Sequence, residues 1–191
     1  MNDKMRFTTI GYVEWRKGQD ILIDALEEVS SERLAGCEFL LIGQDSSVLA
    51  QRLRERTAGK AWIRMAGTVS RKEIHQILDA TDVLICPSRE DPMPTVCAEA
   101  MMHHAPCLVS DAVGTAAYLS DGVNGMVFKS GDSCELREKI LWCVEHKDGV
   151  KRMGNEAYKI YKTTFSVKAF EKSLLSHVEE MAGVARGQTD G

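Results

Sequence analysis

Short apolar runs of strand length alternate with helical patterns along most of this 191-residue chain. The first three runs each end at a glycine, namely Gly11, Gly43 and Gly67. This alternation predicts βαβ units, and their right-handed crossovers require a parallel sheet with helices on both faces. The predicted fold class is therefore α/β, a Rossmann-like three-layer α/β/α domain with about six parallel strands. The strands are predicted at 6–10, 38–42, 63–66, 82–86, 106–110 and 125–128.

The carboxyl ends of these strands are where a ligand is expected. Open parallel sheets bind ligands beyond those ends, at the point where the strand order reverses. Gly11, Gly43 and Gly67 each follow a strand, and the turn that begins at Pro87 follows the fourth. We therefore expect these segments to line one crevice.

The stretch 87–101 carries the clearest chemical signal. One acid, Asp91, lies in the turn, and a second, Glu99, lies one turn into the helix that begins near Thr95. Unpaired backbone N–H groups at a helix start, here those of Thr95, Val96 and Cys97, attract phosphate. Carboxylates accept hydrogen bonds from hydroxyl groups. A phosphate held between two hydroxyl acceptors is typical of a sugar-nucleotide site.

Each of these residues also has an ordinary structural interpretation. By spacing alone, solvated acids explain Asp91 and Glu99 about as well, and a glycosidase would also use two opposed carboxylates. Their position around a helix start favours ligand binding. Lys17, in the glycine-bounded loop 11–18, is placed to meet phosphate, although its motif alone is more typical of a solvated surface lysine. Neither a Walker loop nor a Gly-x-Gly-x-x-Gly motif occurs, which argues against a P-loop or an ordinary nicotinamide-binding domain.

The charge balance and the cysteines exclude several classes of protein. The chain has 24 basic and 28 acidic residues, a net charge of −4, and no basic face that would favour a nucleic-acid partner. Its apolar runs are far shorter than a membrane span, and residues 1–4 begin no signal peptide, so a cytoplasmic location is expected. Six cysteines without Cys-x-x-Cys spacing indicate reduced core thiols. The adjacent His103 and His104 would point in different directions on a helix, so no metal site is predicted.

With these residues in place, the chain resembles the C-terminal, donor-binding domain of GT-B glycosyltransferases of family 4, also called group 1. The resemblance covers about 7–181 and is most specific where Asp91 and Glu99 form an acid-x7-Glu motif, with Asp91 where a Glu is more usual. The loop that ends at Gly18 resembles the family's phosphate-binding Lys-Gly loop. The stretch 111–125 is similar to its turn before the last strand.

The resemblance implies a retaining, hexosyl-type glycosyltransferase that uses a nucleoside-diphosphate sugar and needs no metal or other cofactor. It places Lys17 on the diphosphate, Asp91 on the sugar hydroxyls and Glu99 on the ribose, and these three are the predicted catalytic residues. Backbone N–H groups of Thr95 and Val96 would hold the distal phosphate. The full predicted donor-binding set is Gly11, Arg16, Lys17, Gly43, Gly67, Val69, Asp91, Met93, Thr95, Val96 and Glu99.

The domain organisation follows from the same resemblance. The donor-binding domain is predicted at 5–164 and a separate helix at 165–181, followed by a disordered tail at 182–191. The helix resembles the family's terminal helix, which crosses back onto an N-terminal domain that holds the acceptor site. We therefore expect the chain to be part of a longer enzyme, in the cytoplasm or at the cytoplasmic face of a membrane. Alone it should be inactive in transfer.

The stripe along this last helix predicts a packing surface. Its apolar residues recur mostly four positions apart, and an amphipathic stripe of this kind needs a partner. With the N-terminal domain absent, either self-association through 165–181 or disorder of this segment is expected. The stripe consists of Phe170, Leu174, Val178 and Met181.

Two other functions fit the same sequence. One is a non-catalytic module that binds a sugar nucleotide or assembles with a partner through its last helix. The other is a phosphorylase or a sugar-nucleotide epimerase with the same two-domain plan. The sequence leaves open which nucleotide, sugar and acceptor are used.

Overall fold

The computed structural model describes the backbone of residues 4–187 and the side chains of residues 4–181. Its centre is one six-stranded sheet in the order β3-β2-β1-β4-β5-β6, and all neighbouring strands run parallel. This confirms the predicted fold class. The strand order reverses between β1 and β4, which makes the gap beyond their carboxyl ends the topological switch point. The strands are β1 Met5–Ile10, β2 Cys37–Ile42, β3 Ile63–Gly67, β4 Val83–Cys86, β5 Cys107–Ser110 and β6 Gly125–Phe128.

Helices connect the strands, and several begin at side-chain caps visible in the sequence. Ser70 and Glu73 form a capping box at the start of α4, in the Ser-x-x-Glu spacing that marks a helix start. One short helix, α2, has only four residues, which are too few to show a helical period in the sequence. The helices are α1 Gln19–Glu27, α2 Ser31–Leu34, α3 Val48–Thr57, α4 Arg71–Asp79, α5 Thr95–Met102, α6 Ser133–Glu145, α7 Lys147–Ile160 and α8 Val167–Gly187. Short 3₁₀ turns lie at Trp15–Lys17 and Gly114–Tyr118, and a π-helical turn lies at Tyr161–Phe165.

Two apolar cores hold helices against the two faces of the sheet. One contains Phe7 and Phe39, whose rings stack with centroids 4.7 Å apart, together with residues of α1, α3 and α6. The other joins Leu84 and Val109 to residues of α5 and α7. A sheet that is buried on both faces has apolar strands throughout, which is the pattern that made these strands visible in the sequence.

The cysteines are free thiols, and five of the six are buried, as their apolar surroundings predicted. Burial raises the pKa of Cys143 to about 12. Burial also raises the pKa of Cys37. Cys134 is the exposed one. Cys37 and Cys143 are thus core thiols in the protonated form.

Helix α8 stands apart from both cores. It begins at Val167, two residues after the predicted start, and the side chain of Ser166 caps it by accepting a hydrogen bond from the Ala169 N–H group at 3.1 Å. It runs to Gly187, so the predicted disordered tail at 182–191 begins inside the helix, and 188–191 lie outside the described residues. Among the described residues, none of the helices combines the length and apolar character needed to cross a bilayer.

Candidate functional site

Two loops meet at the switch point, one after β1 and one after β4. Gly18 closes the first loop with φ at +69°, a conformation that L side chains rarely adopt. A Cβ atom at Gly18 would lie 1.9 Å from the carbonyl oxygen of Pro87 in the second loop. The glycine therefore allows the two loops to touch at the backbone. This contact brings side chains of the first loop close to side chains of the second.

Lys17 and Asp91 form an ion pair across these loops. Their Nζ and Oδ2 atoms lie 2.5 Å apart, and their side chains are only 19% and 9% exposed. Lys17 and Asp91 are therefore not the solvent-exposed residues that their sequence positions alone would also allow. The backbone of Asp91 is tied in turn to the segment after β5, since its carbonyl accepts the Gly114 N–H at 2.9 Å. An arriving anion would therefore compete with Asp91 for the Lys17 cation.

The start of α5 offers free hydrogen-bond donors beside this pair. Pro94 is its N-cap residue and makes no side-chain cap. Its carbonyl accepts the Cys97 N–H at 3.1 Å, so Cys97 is not one of the free donors, contrary to the prediction. Within the described residues, the N–H groups of Thr95 and Val96 have no hydrogen-bond partner. Unpaired donors at the positive end of a helix form an anion site.

A cavity of about 410 Å³ is lined by Lys17 and the start of α5, whereas Asp91, the partner of Lys17, does not line it. Its volume is typical of a small-molecule site. Five of the predicted residues line it, namely Lys17, Val69, Thr95, Val96 and Glu99. The other lining residues are Ile10, Arg71, Ile74 and Pro94. The cavity thus combines two cations, Lys17 and Arg71, with a helix start, one carboxylate and an apolar wall.

Glu99 is half-buried and faces a residue that sequence reasoning missed. Its Oε1 atom lies 3.4 Å from Nη2 of Arg71, whose side chain is 82% exposed. So exposed a pair contributes little to stability, which leaves Glu99 free to accept other hydrogen bonds. Arg71 carries no local signal, because it follows the cap of α4 and meets Glu99 only through the packing of α4 beside α5.

The three strand-end glycines lie together but do not line the cavity. The Gly11 N–H donates to Ile42, and the Gly43 N–H donates to Gly67, each at 2.9 Å. A Cβ at Gly43 would lie 1.9 Å from the Gly11 carbonyl oxygen, so this position requires glycine. These residues allow the strand ends to approach one another.

Two further predicted residues, Arg16 and Met93, do not line the 410 Å³ cavity. Arg16 donates to the Glu90 carbonyl at 3.1 Å and pairs with Glu14 at 2.9 Å. Met93 lines a second cavity of about 480 Å³ on the outer side of α5. This second cavity shares Thr95 and Glu99 with the first. A third cavity, of about 470 Å³, lies against β1–β3 rather than at the switch point and carries none of the predicted catalytic residues.

The histidines form a hydrogen-bonded chain rather than a metal site. His103 Nδ1 lies 2.6 Å from Oδ1 of Asp79, and His103 Nε2 lies 2.9 Å from Nδ1 of His75. His104 points away and stacks on Tyr158 with centroids 4.1 Å apart. Among the described residues, no three His, Cys, Asp or Glu side chains are grouped so that they could hold a metal ion.

The fold and the cavity define a class: a Rossmann-like α/β domain whose switch point carries a cavity lined by a lysine and the start of a helix. The chain belongs to the family of group 1 glycosyl transferases, whose family model matches residues 4–146. This confirms the family that the acid-x7-Glu motif indicated.

Curated relatives are similar over much of the chain. An α-D-kanosaminyltransferase of Streptomyces kanamyceticus is 21% identical over 188 residues, which are 95% of this chain and 47% of the relative. The lipopolysaccharide glucosyltransferase WaaG of Escherichia coli is 23% identical over 176 residues, 92% of this chain and 45% of the relative. The chain thus spans less than half the length of these relatives.

Solved structures share the fold. Anabaena HepE in complex with UDP and glucose superposes with a TM-score of 0.81 at 22% identity, over 93% of this chain and 49% of that one. The sucrose-phosphate synthase of Thermosynechococcus elongatus gives a TM-score of 0.80 at 19% identity, over 96% of this chain and 47% of that one. The chain thus shares its fold with about half of each of these structures.

Proposed function

We propose that this chain is the donor-binding domain of a retaining glycosyltransferase and that its 410 Å³ cavity takes a nucleoside-diphosphate sugar. One observation carries the proposal: the Lys17 cation and the unpaired N–H groups of Thr95 and Val96 line the same cavity at the switch point. A cation beside a helix start complements the charge and the acceptor oxygens of a diphosphate.

In this proposal the remaining residues contact the other parts of the donor. Glu99 accepts hydrogen bonds from the ribose hydroxyls, and Val69 bounds the base. The diphosphate draws Lys17 away from Asp91, and the freed carboxylate then accepts hydrogen bonds from the hydroxyls of the sugar.

Leaving-group stabilisation is the chemistry that this arrangement supplies. Negative charge grows on the diphosphate as the glycosidic bond breaks. The Lys17 cation and the start of α5 lie where that charge develops, which lowers the barrier electrostatically. In this mechanism the diphosphate needs neither a metal ion nor another cofactor.

The acceptor half completes the enzyme in this proposal. The chain spans 47% and 45% of the relatives named kanosaminyltransferase and glucosyltransferase, which leaves room for an N-terminal domain of similar size. Those names, and the glucose present with UDP in HepE, support a hexosyl donor. We place the complete enzyme in the cytoplasm or at the cytoplasmic face of a membrane.

A second candidate is a non-catalytic sugar-nucleotide-binding module that assembles with a partner. The exposed apolar side chains of α8 favour it, because they offer a docking surface. Transfer activity of the complete polypeptide that contains this domain would exclude this candidate.

Calorimetric titration of the domain tests the proposed function. UDP, GDP, ADP and dTDP are each titrated with and without magnesium, and we expect one to bind with an affinity that EDTA does not change. Binding of none of the four would overturn the donor-site role. Binding that depends on magnesium would overturn the metal-free mechanism and leave the nucleotide site.

A further inference from the structure

We propose that Arg89 is a positioning residue for the donor diphosphate: it holds the turn that carries Lys17 in the geometry needed for the phosphate contact. The inference rests on the proposed function. Arg89 does not line the 410 Å³ cavity and was not among the predicted site residues. It acts through Lys17.

The Arg89 guanidinium donates hydrogen bonds to the chain on both sides of Lys17. Its Nη1 atom donates to the carbonyl of Trp15 at 2.7 Å, at the start of the 3₁₀ turn. Nη1 and Nη2 also donate to the two carboxylate oxygens of Asp20 at 2.8 and 2.7 Å, at the start of α1. The turn that presents Lys17 lies between these two anchors.

The same residue ties this turn to the loop that carries Asp91. The backbone N–H of Arg89 donates to the carbonyl of Arg16 at 2.7 Å, and the side chain of Arg16 returns to the carbonyl of Glu90. Asp91 follows directly. Arg89 therefore links the two partners of the Lys17–Asp91 pair through both backbone and side chain.

On the outer side of the turn, Arg89 covers an exposed aromatic side chain. Trp15 is 67% exposed, and its ring packs under the Arg89 guanidinium, whose carbon lies 4.7 Å from the ring centroid. The side chains of Arg89 and Asp20 are only 21% and 20% exposed, and the hydrogen bonds to Asp20 raise the pKa of Arg89. The guanidinium fork spans a carboxylate and a carbonyl together, a geometry that a lysine ammonium cannot reproduce.

A turn that is already ordered before the ligand arrives loses less conformational entropy on binding, which strengthens the affinity. In Arg89→Met the apolar stem remains but the fork is lost, so Lys17 samples more positions. We expect the affinity for UDP to fall about tenfold, while the affinity for uridine, which has no phosphate to meet Lys17, changes less than about twofold. Arg89→Lys should recover only part of the loss.

Arg56→Met is the matched control. Arg56 is also a half-buried arginine paired with two carboxylates, those of Asp24 and Glu27, but it lies on α3 away from the cavity. Its loss should lower the unfolding midpoint without changing the ratio of UDP to uridine affinity. A similar change of that ratio in both variants would overturn the positioning role.

Two further measurements decide the inference. In a Lys17→Ala background, Arg89→Met should weaken UDP binding no further, because its effect passes through Lys17. Without ligand, amide exchange at Lys17 and Gly18 should speed up in Arg89→Met, since their N–H groups bond within this turn. A full additional loss in the double variant, or unchanged exchange, would overturn it. If the parent binds no nucleotide, the proposed function fails and unchanged exchange still overturns the positioning of the turn.

Discussion

The carboxyl edge of the sheet and helix α8 differ in which kind of side chain they expose to water. At the edge, charged residues are withdrawn from water and paired, as Lys17 and Asp91 show. On α8, apolar residues remain in water, with Phe170 64% and Leu174 51% exposed. Both arrangements cost free energy in an isolated domain. The difference teaches that contacts within this fold hold the edge together, whereas the apolar side chains of α8 have no covering surface among the described residues.

The largest expected effect comes from breaking the loop contact that builds the edge. Gly18→Ala adds a Cβ 1.9 Å from the Pro87 carbonyl oxygen at a positive φ. We expect a loss of about 3 kcal/mol or more in the free energy of unfolding, from strain and overlap together. Chemical denaturation measures it. Gly59→Ala is the control, because Gly59 also has a positive φ, of +75°, but has open space around it, and should cost about 1 kcal/mol. Equal losses would mean that the loop contact is unimportant.

Removing the cation at the edge should weaken diphosphate binding. Lys17→Ala deletes a charge-assisted contact, which typically contributes about 1.5–3 kcal/mol, so the dissociation constant of the diphosphate should rise at least several-fold. Titration calorimetry measures this. Lys60→Ala, which removes a lysine paired with Glu27 outside the cavity, should leave the affinity unchanged. Unchanged affinity in Lys17→Ala would place the phosphates elsewhere.

A smaller effect is expected at the far end of the cavity. Glu99→Ala should cost about 1–2 kcal/mol in ribonucleotide binding if the carboxylate accepts the ribose hydroxyls. The fold should be unaffected, because the partner Arg71 is 82% exposed. Comparison of UDP with its 2′,3′-dideoxy analogue isolates the contact. The parent should prefer UDP and the variant should not. A preference retained in the variant would remove Glu99 from the ribose.

The smallest effect on stability is expected on α8. Leu174→Glu should change the free energy of unfolding by less than about 0.5 kcal/mol, because the side chain is exposed. The parent should dimerise as concentration rises, since paired stripes bury apolar surface, and the variant should stay monomeric. Sedimentation equilibrium measures this, with Lys172→Glu as a control on the same helix. A parent that is monomeric at high concentration, with slow amide exchange throughout 165–181, would contradict the prediction.

Local patterns made much of this molecule predictable. The six strands were visible because a sheet buried on both faces needs continuous apolar runs, and the capping box of Ser70 and Glu73 marked the start of α4. Lys17 and Glu99 were recognisable through their motifs, and both line the cavity. Their roles toward a donor stay predictions. Arg71 and Arg89 had no such motif.

The sequence by itself determined the α/β class, the strand positions and the family, because short-range periodicity and a compact motif carry that information. Tertiary structure alone decided that Lys17 meets Asp91, that Arg71 faces Glu99 and that Arg89 grips Asp20. These partners are separated by 74, 28 and 69 residues along the chain. Such contacts exist only after right-handed crossovers bring the ends of β1 and β4 side by side, and no local pattern records which side chains then come within hydrogen-bond reach.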